Sequence, residues 1–271
     1  MPAELTPAEQ LDYLVSSARL SLWFAWQFLD KHPEETFLGA IQNRTDLWRR
    51  TIFNSAHLDG GWGKFEAPEW AALMKRVEGI HARNRKGGSA QAFEDEAIAV
   101  IMPYIEPRVE QDLRDIRNKV DLAHYQCGSL RYNLKPDAER PGRIGFHIAN
   151  ACSPASPFDD PSYFPRCFMD LMEQCEKEFK VTEIGTGTWL NSYPRWLKLF
   201  PRDWLDHMGP PNYDVQWHYG FWGQFITSRR TFNHRLGRQF RETGRIPYPP
   251  RSSWCAIKAM RKHLQPLLKP A

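Results

Sequence analysis

The sequence predicts an α+β fold, with a helical N-terminal domain at residues 1–135 and a small sheet domain with flanking helices at 136–271. Three observations carry this. Apolar residues recur at helical spacing through the first 125 positions, with no clear strand among them. After Pro141-Gly142 the pattern switches to strand-like alternation in Arg143-Ile144-Gly145-Phe146-His147-Ile148-Ala149. A helical stretch and a second β-rich segment follow, and strand–helix–strand is the signature of a crossover between parallel strands.

The opening helix has a start signal. Thr6-Pro7-Ala8-Glu9 supplies an N-cap, a Pro at the first helical position and a Glu placed to complete a capping box. Leu11, Leu14, Val15, Ala18, Leu22, Ala25 and Phe28 continue one face until His32-Pro33 stops it. Residues 47–57 form a second predicted helix, and Asp59-Gly60-Gly61-Trp62-Gly63 a turn. Residues 70–82 form a third, closed by Arg85-Lys86-Gly87-Gly88, with further helices at 93–104 and 109–125. Lys135-Pro136-Asp137 is the expected linker.

In the second half, residues 161–179 are helical, with Phe164, Phe168, Leu171, Met172 and Cys175 on one face. Residues 181–190 are β-rich, 194–200 a short helix or turn, and 215–226 alternate again as a strand. Helices at 233–241 and 252–264 close the chain.

Composition excludes several classes. Hydrophobic residues make up 42% and charged residues 25% of 271, which is globular rather than disordered. No apolar run reaches the roughly 18–20 residues of a membrane span, and the acidic N-terminus lacks a signal peptide's basic region. A cytoplasmic protein with no membrane partner is expected. Five cysteines without a CxxC pair point to reduced, packed thiols rather than a disulfide framework or zinc module.

Charge is uneven. From Arg229 onward, eleven Lys or Arg stand against a single acid, Glu242. Arg235, Arg238 and Arg241 recur every third residue as a basic stripe suited to phosphate groups of an anionic partner. No nucleic-acid-binding module accompanies it, so a nucleic-acid partner is not expected.

Strand alternation then suggests a site. His147 shares a face with Gly145, Glu183 with Gly185, Gly187 and Trp189, and His218 with Gln216, Gly220, Trp222 and Gln224. Converging, His147, Glu183 and His218 would form a proton-transfer site. Trp189, Asn191, Trp222, Gln224 and Arg131 would line the substrate pocket, with eleven tryptophans in the chain supplying flat walls. Asn191 and Ser192 also fit a helix cap before Pro194. No metal is expected, because the trio lacks the close ligand spacing of a facial triad. His32-Pro33-Glu34 and His57-Leu58-Asp59 carry such letters but sit at helix ends, where they read as caps. Cys152, in a loop after the first strand, reads as an inert thiol.

Several stations in residues 125–264 resemble, in order, the GNAT-like C-terminal domain of a bacterial family of acyltransferase domain-containing proteins. They are Tyr125-Gln126-Cys127-Gly128-Ser129-Leu130-Arg131-Tyr132, Gly145-Phe146-His147-Ile148, Gly187-Thr188-Trp189-Leu190 with Leu199-Phe200-Pro201, Gln224-Phe225, and Pro250-Arg251-Ser252-Ser253 with Met260-Arg261-Lys262-His263-Leu264. Ala149 replaces the family's Pro and Thr188 its Ser. The resemblance implies a GNAT-type mixed sheet and an acyltransferase moving an acyl group from CoA or a carrier protein to a small acceptor, with no tightly bound cofactor. Arg235, Arg238 and Arg241 would then hold the donor's phosphates. Arg85-Lys86-Gly87-Gly88-Ser89-Ala90 has the letters of a CoA pyrophosphate cradle, but it follows a helix and reads as a helix–helix loop. The alternatives are a CoA-independent lyase, isomerase or hydrolase acting on a small polar substrate, or a non-catalytic anion-binding protein.

Overall fold

Helices begin where the sequence supplies caps. The Thr6 hydroxyl accepts from Glu9 N–H while the Glu9 carboxylate accepts from Thr6 N–H at 2.9 Å, the full capping box. Ser89 caps a later helix by accepting from Ala92 N–H at 3.1 Å. The computed structural model of the chain describes residues 4–54 and 67–268. Among these, the first half holds α1 (Pro7–Lys31), α2 (Phe37–Arg44), a 3-10 turn (Leu47–Arg50), α3 (Pro68–Gly87) and α4 (Ala90–Arg117). Then come β1 (Leu130–Tyr132), β2 (Arg143–Ile148), α5 (Tyr163–Phe179), β3 (Glu183–Thr188), a 3-10 turn (Trp189–Ser192), α6 (Pro194–Leu197) and α7 (Arg202–Asp206). Then follow α8 (Tyr219–Trp222), a 3-10 turn (Gly223–Phe225), α9 (His234–Thr243), β4 (Arg251–Ala256), α10 (Ile257–Leu264) and a 3-10 turn (Gln265–Leu268).

These elements form two compact units. One comprises residues 4–121 and 214–247, the other residues 122–213 and 248–268. The sequence predicts one boundary, at 135/136. The chain instead leaves the helical unit, builds most of the sheet unit, returns through α8 and α9, and then supplies β4.

In the helical unit, α1 lies along α4 and α3 packs beside it. The helices expected at 93–104 and 109–125 are one helix, α4, which runs through Pro103 and Pro107. Beside the interrupted ladder, the Tyr104 carbonyl accepts from Ile52 N–H at 2.9 Å. The helix expected at 47–57 is a single 3-10 turn over its first residues, because the Asp46 and Arg50 side chains turn inward there. Its last residues and the glycine-rich 59–63 tract lie outside the described residues. Between these helices His81 sits among Trp26, Phe37 and Phe93, with ring centres 5.1–5.3 Å away. Arg85 Nε donates to its Nε2 at 3.4 Å.

The sheet unit holds a mixed four-stranded sheet in the order β1-β2-β3-β4. β1 and β2 are antiparallel, β2 and β3 parallel across the α5 crossover, and β3 and β4 antiparallel. The segment 252–264, expected as one helix, is strand up to Ala256, where alternating Ser253 and Cys255 are buried, and helix only from Ile257. The α5 stripe foreseen from Phe164 to Cys175 covers one sheet face, meeting Tyr132, Ile144, Phe146, Ile184 and Cys255. Phe146 and Phe168 pack edge to face at 5.4 Å, and Phe200 stacks on Trp204 at 4.0 Å. Burial pushes the Cys127, Cys175 and Cys255 thiols up to about 12. All five cysteines are free thiols.

Burial and the nearby Arg85 guanidinium push the His81 pKa from 6.5 down to about 4. The unfolded chain therefore takes up this proton before the folded one does. Stability present above pH 6.5 will fall as the pH drops toward 4, by on the order of 1–2 kcal/mol for this partly exposed ring. Urea unfolding of His81→Phe across that interval should show a correspondingly shallower loss than the native chain.

Candidate functional site

Alternation along the sheet puts most of the apolar side chains toward α5 and leaves a largely polar, glycine-lined face on the other side. That face carries Arg131 from β1, Arg143, Gly145 and His147 from β2, Glu183, Gly185 and Gly187 from β3, and Trp254 from β4. Rungs between β2 and β3 are Arg143↔Glu183, Ile144↔Ile184 and Gly145↔Gly185, and they stop there. β2 stays paired with β1 as far as Ile148, and β3 with β4 as far as Thr188. A notch thus begins between the carboxyl ends of two parallel strands, where α/β sheets commonly receive ligands.

His147 stands on β2 at this notch, its side chain exposed. Its Nε2 lies 2.8 Å from Asn133 Oδ1. Gly145 makes this contact fit, since a Cβ there would sit 2.6 Å from the Asn133 side-chain nitrogen. An amide oxygen accepting at Nε2 sets the tautomer whose Nδ1 carries a lone pair, the form a general base needs. Arg131 faces His147 in the antiparallel register, its guanidinium 5.5 Å from the Tyr125 ring. Across the notch, a Cβ built on Gly187 would meet nothing within 4 Å. Just beyond β3, half-buried Trp189, Tyr193 and Tyr248 form a ring triangle with centres 5.6–6.1 Å apart.

The other expected catalytic residues lie elsewhere. Glu183 opens β3, roughly 13 Å of strand from the level of His147 at ~3.3 Å per residue. Its carboxylate pairs with Arg143 at 2.8 Å, Arg143 lies 4.0 Å from the Trp254 ring, and Trp254 stacks on His207 at 3.5 Å. That stack braces the far end of the sheet. His218 lies on no strand. The expected 215–226 strand is α8 and a 3-10 turn in the helical unit, and His218 Nδ1 caps α8 by accepting from Gly220 N–H at 3.1 Å. Gly220 and Gly223 sit among aromatics whose burial produces the alternation without a β ladder.

The expected pocket residues divide in the same way. Asn191 is fully buried and spent on structure. Its Nδ2 donates to the Thr186 and Arg251 carbonyls at 3.1 and 2.7 Å, and its Oδ1 accepts from Trp196 Nε1 at 3.1 Å. Trp222 and Gln224 are buried in the helical unit, where Trp222 Nε1 donates to the Arg44 carbonyl and Gln224 Nε2 to the Phe221 carbonyl. Of the basic stripe on α9, Arg235 and Arg238 are exposed. Arg241 is already filled, donating at 2.9 and 2.8 Å to both oxygens of buried Glu94. Arg85–Gly87 form the last turn of α3, with only Gly88 and Ser89 linking it to α4, and Arg85 is bound to Asp30 and the Trp26 carbonyl.

The helical unit also holds a buried polar centre that no sequence pattern singles out. Arg50 bonds to Tyr13 and Asp46, and Asp46 also accepts from Ser21 at 3.1 Å. Arg108 donates to Asp112 at 2.6 Å, and Gln10 donates to the other oxygen of that carboxylate at 2.8 Å. The charged spacing Asp46/Arg50 and Arg108/Asp112, four residues apart in each case, was the available signal, but it equally describes an exposed helix face. Among the described residues, no group of three or more His, Cys, Asp or Glu is placed to hold a metal ion. None of their helices is long and apolar enough to cross a membrane.

Comparison with protein-family models, curated proteins and solved structures finds no match to this chain.

Two substitutions separate structural from ligand-binding roles. Asn191→Ala leaves two carbonyls and an indole N–H without their partner, and denaturant unfolding should register a loss of about 2–4 kcal/mol. Arg241→Ala strands the buried Glu94 carboxylate and should cost about 3 kcal/mol in the same measurement.

Proposed function

We propose that the protein is an acyltransferase-like enzyme whose small acceptor binds at the β2–β3 notch and is deprotonated by His147. The observation that carries this proposal is the end of β2–β3 pairing after Gly145↔Gly185, with an oriented imidazole on one side and open space over Gly187 on the other. The acyl group itself is suggested by the resemblance of residues 125–264 to the GNAT-like family. In this reading His147 Nδ1 takes the proton of an acceptor hydroxyl or amine, whose oxygen or nitrogen then attacks the acyl carbonyl. Arg131, across the register from His147, holds negative charge on the substrate. Collapse of the tetrahedral intermediate releases the donor thiolate, which recovers the proton from His147. The Trp189–Tyr193–Tyr248 triangle supplies an apolar wall for the acyl chain.

A second reading keeps His147 as base but dispenses with CoA, as in a lyase, isomerase or hydrolase. It is favoured by the state of one of the three expected phosphate-binding groups, since Arg241 is occupied by Glu94.

Thermal-shift screening distinguishes the two, because a specific ligand stabilises the folded state by mass action. Acyl-CoA and free CoA should both raise the melting temperature if the donor is CoA, whereas neither should under the second reading. His147→Ala should lower turnover by roughly 10²–10⁴-fold with little change in stability. Gly187→Leu projects into open space, so the chain should fold within about 0.5 kcal/mol of native while ligand stabilisation disappears. Unchanged turnover in both variants would remove the notch as the active site.

A further inference from the structure

We infer that the helical unit contains a binding site for a small carboxylate with an apolar body, received by Arg49 beside the rings of Trp217 and Tyr219. This site is separate from the notch and independent of any role for His147.

Arg49 is only 6% exposed. Its guanidinium carbon lies 4.5 Å from the centre of the Trp217 ring and 4.4 Å from that of Tyr219. Nη1 donates to the Trp217 carbonyl at 3.0 Å. Burial lowers its proton affinity, as expected of a charge removed from water. Among the described residues the two neighbouring buried carboxylates are committed elsewhere, Asp46 to Arg50 and Asp112 to Arg108. Among the described residues, Arg49 is thus the one of three buried guanidiniums, with Arg50 and Arg108, that has no paired carboxylate, and a carboxylate ligand would supply the balancing charge.

Geometry also selects the ligand. With rings over the guanidinium, its in-plane edge is where hydrogen bonds form, and that fork matches the two oxygens of a carboxylate. Two further polar atoms nearby, Arg50 Nε and the Tyr219 hydroxyl, are buried without a hydrogen-bond partner. Groups of this kind are costly to bury and mark places where a water or ligand completes the network. Beside them, His218 Nδ1 accepts from Gly220 N–H, so the neutral ring carries its proton on Nε2 as a further donor. The surrounding protein and the Arg49 charge both favour that neutral form. His218 is exposed, and Trp217 and Tyr219 are half-buried, so the site opens to solvent at this edge. The neighbouring Trp217 and Tyr219 rings suit an aromatic or aliphatic body attached to the carboxylate.

The test is calorimetric titration of the whole chain at fixed ionic strength with sodium benzoate, sodium octanoate, inorganic phosphate and the neutral isostere benzamide. Saturable binding of benzoate or octanoate, with none of benzamide, is expected. Arg49→Gln should weaken that binding roughly tenfold or more, and Arg49→Lys less. Failure of both carboxylates to saturate on the native chain would overturn the assignment. So would equal binding of benzamide, tighter binding of phosphate, or undiminished affinity in a folded Arg49→Gln variant. The comparison of benzoate with benzamide on the native chain needs no variant, so it stands even if substitution at Arg49 prevents folding.

Discussion

The parallel pairing of β2 with β3 governs what the sheet unit can do. Parallel neighbours cannot be joined by a tight turn, so the chain must cross over, and here it does so through α5. A helix laid across a sheet must bury its apolar stripe, which commits Phe146, Ile144 and Ile184 to the α5 side. Period-two alternation then forces Arg131, His147 and Glu183 onto the opposite face. The three rungs are enough to hold the strands together because each central strand also has an outer antiparallel partner. Where the rungs end, the outer ladders of β2 with β1 and of β3 with β4 continue alone.

The helical unit solves a different problem. Its core is built from aromatic rings but also encloses arginines that are at most a few per cent exposed. Buried charges carry a desolvation cost that an ion pair repays only with good geometry and additional hydrogen bonds. Arg50 and Arg108 meet that condition, each with a carboxylate and a second partner. Arg241 is only half-buried, and its bidentate contact satisfies the buried Glu94 carboxylate. Arg49 is held instead by two ring faces and one carbonyl, a weaker form of compensation. This difference, rather than the number of arginines, sets Arg49 apart.

Much of this architecture was legible in the sequence where local chemistry and tertiary packing agree. The Thr6 capping box, the α5 stripe and the alternation of β2 are properties of neighbouring residues, and they appear as expected. Failures cluster where a local pattern has two physical causes. Aromatics at every second position around His218 look like a strand, yet small glycines let the same residues curl into α8. Ser252 to Ala256 looks like the start of a helix, but its edge position beside β3 makes it a strand. Asn191 had the composition of a ligand-binding amide, and only the distant Arg251 carbonyl shows it to be a structural post. His147 was visible from its face and station. Its orienting partner Asn133 was not, because that contact depends on the missing Cβ of Gly145.

The route of the chain has a consequence for how the molecule comes into being. Residues 214–247 complete the helical unit, and β4 completes the sheet unit only afterwards. During synthesis, then, neither body can reach its final form until the stretch from 214 through β4 has left the ribosome, and both must wait as incomplete cores. A nested path of this sort also makes the two halves indivisible by a single cut. Any fragment ending between 122 and 213 strands the helical unit without α8 and α9, and deprives the sheet of its edge.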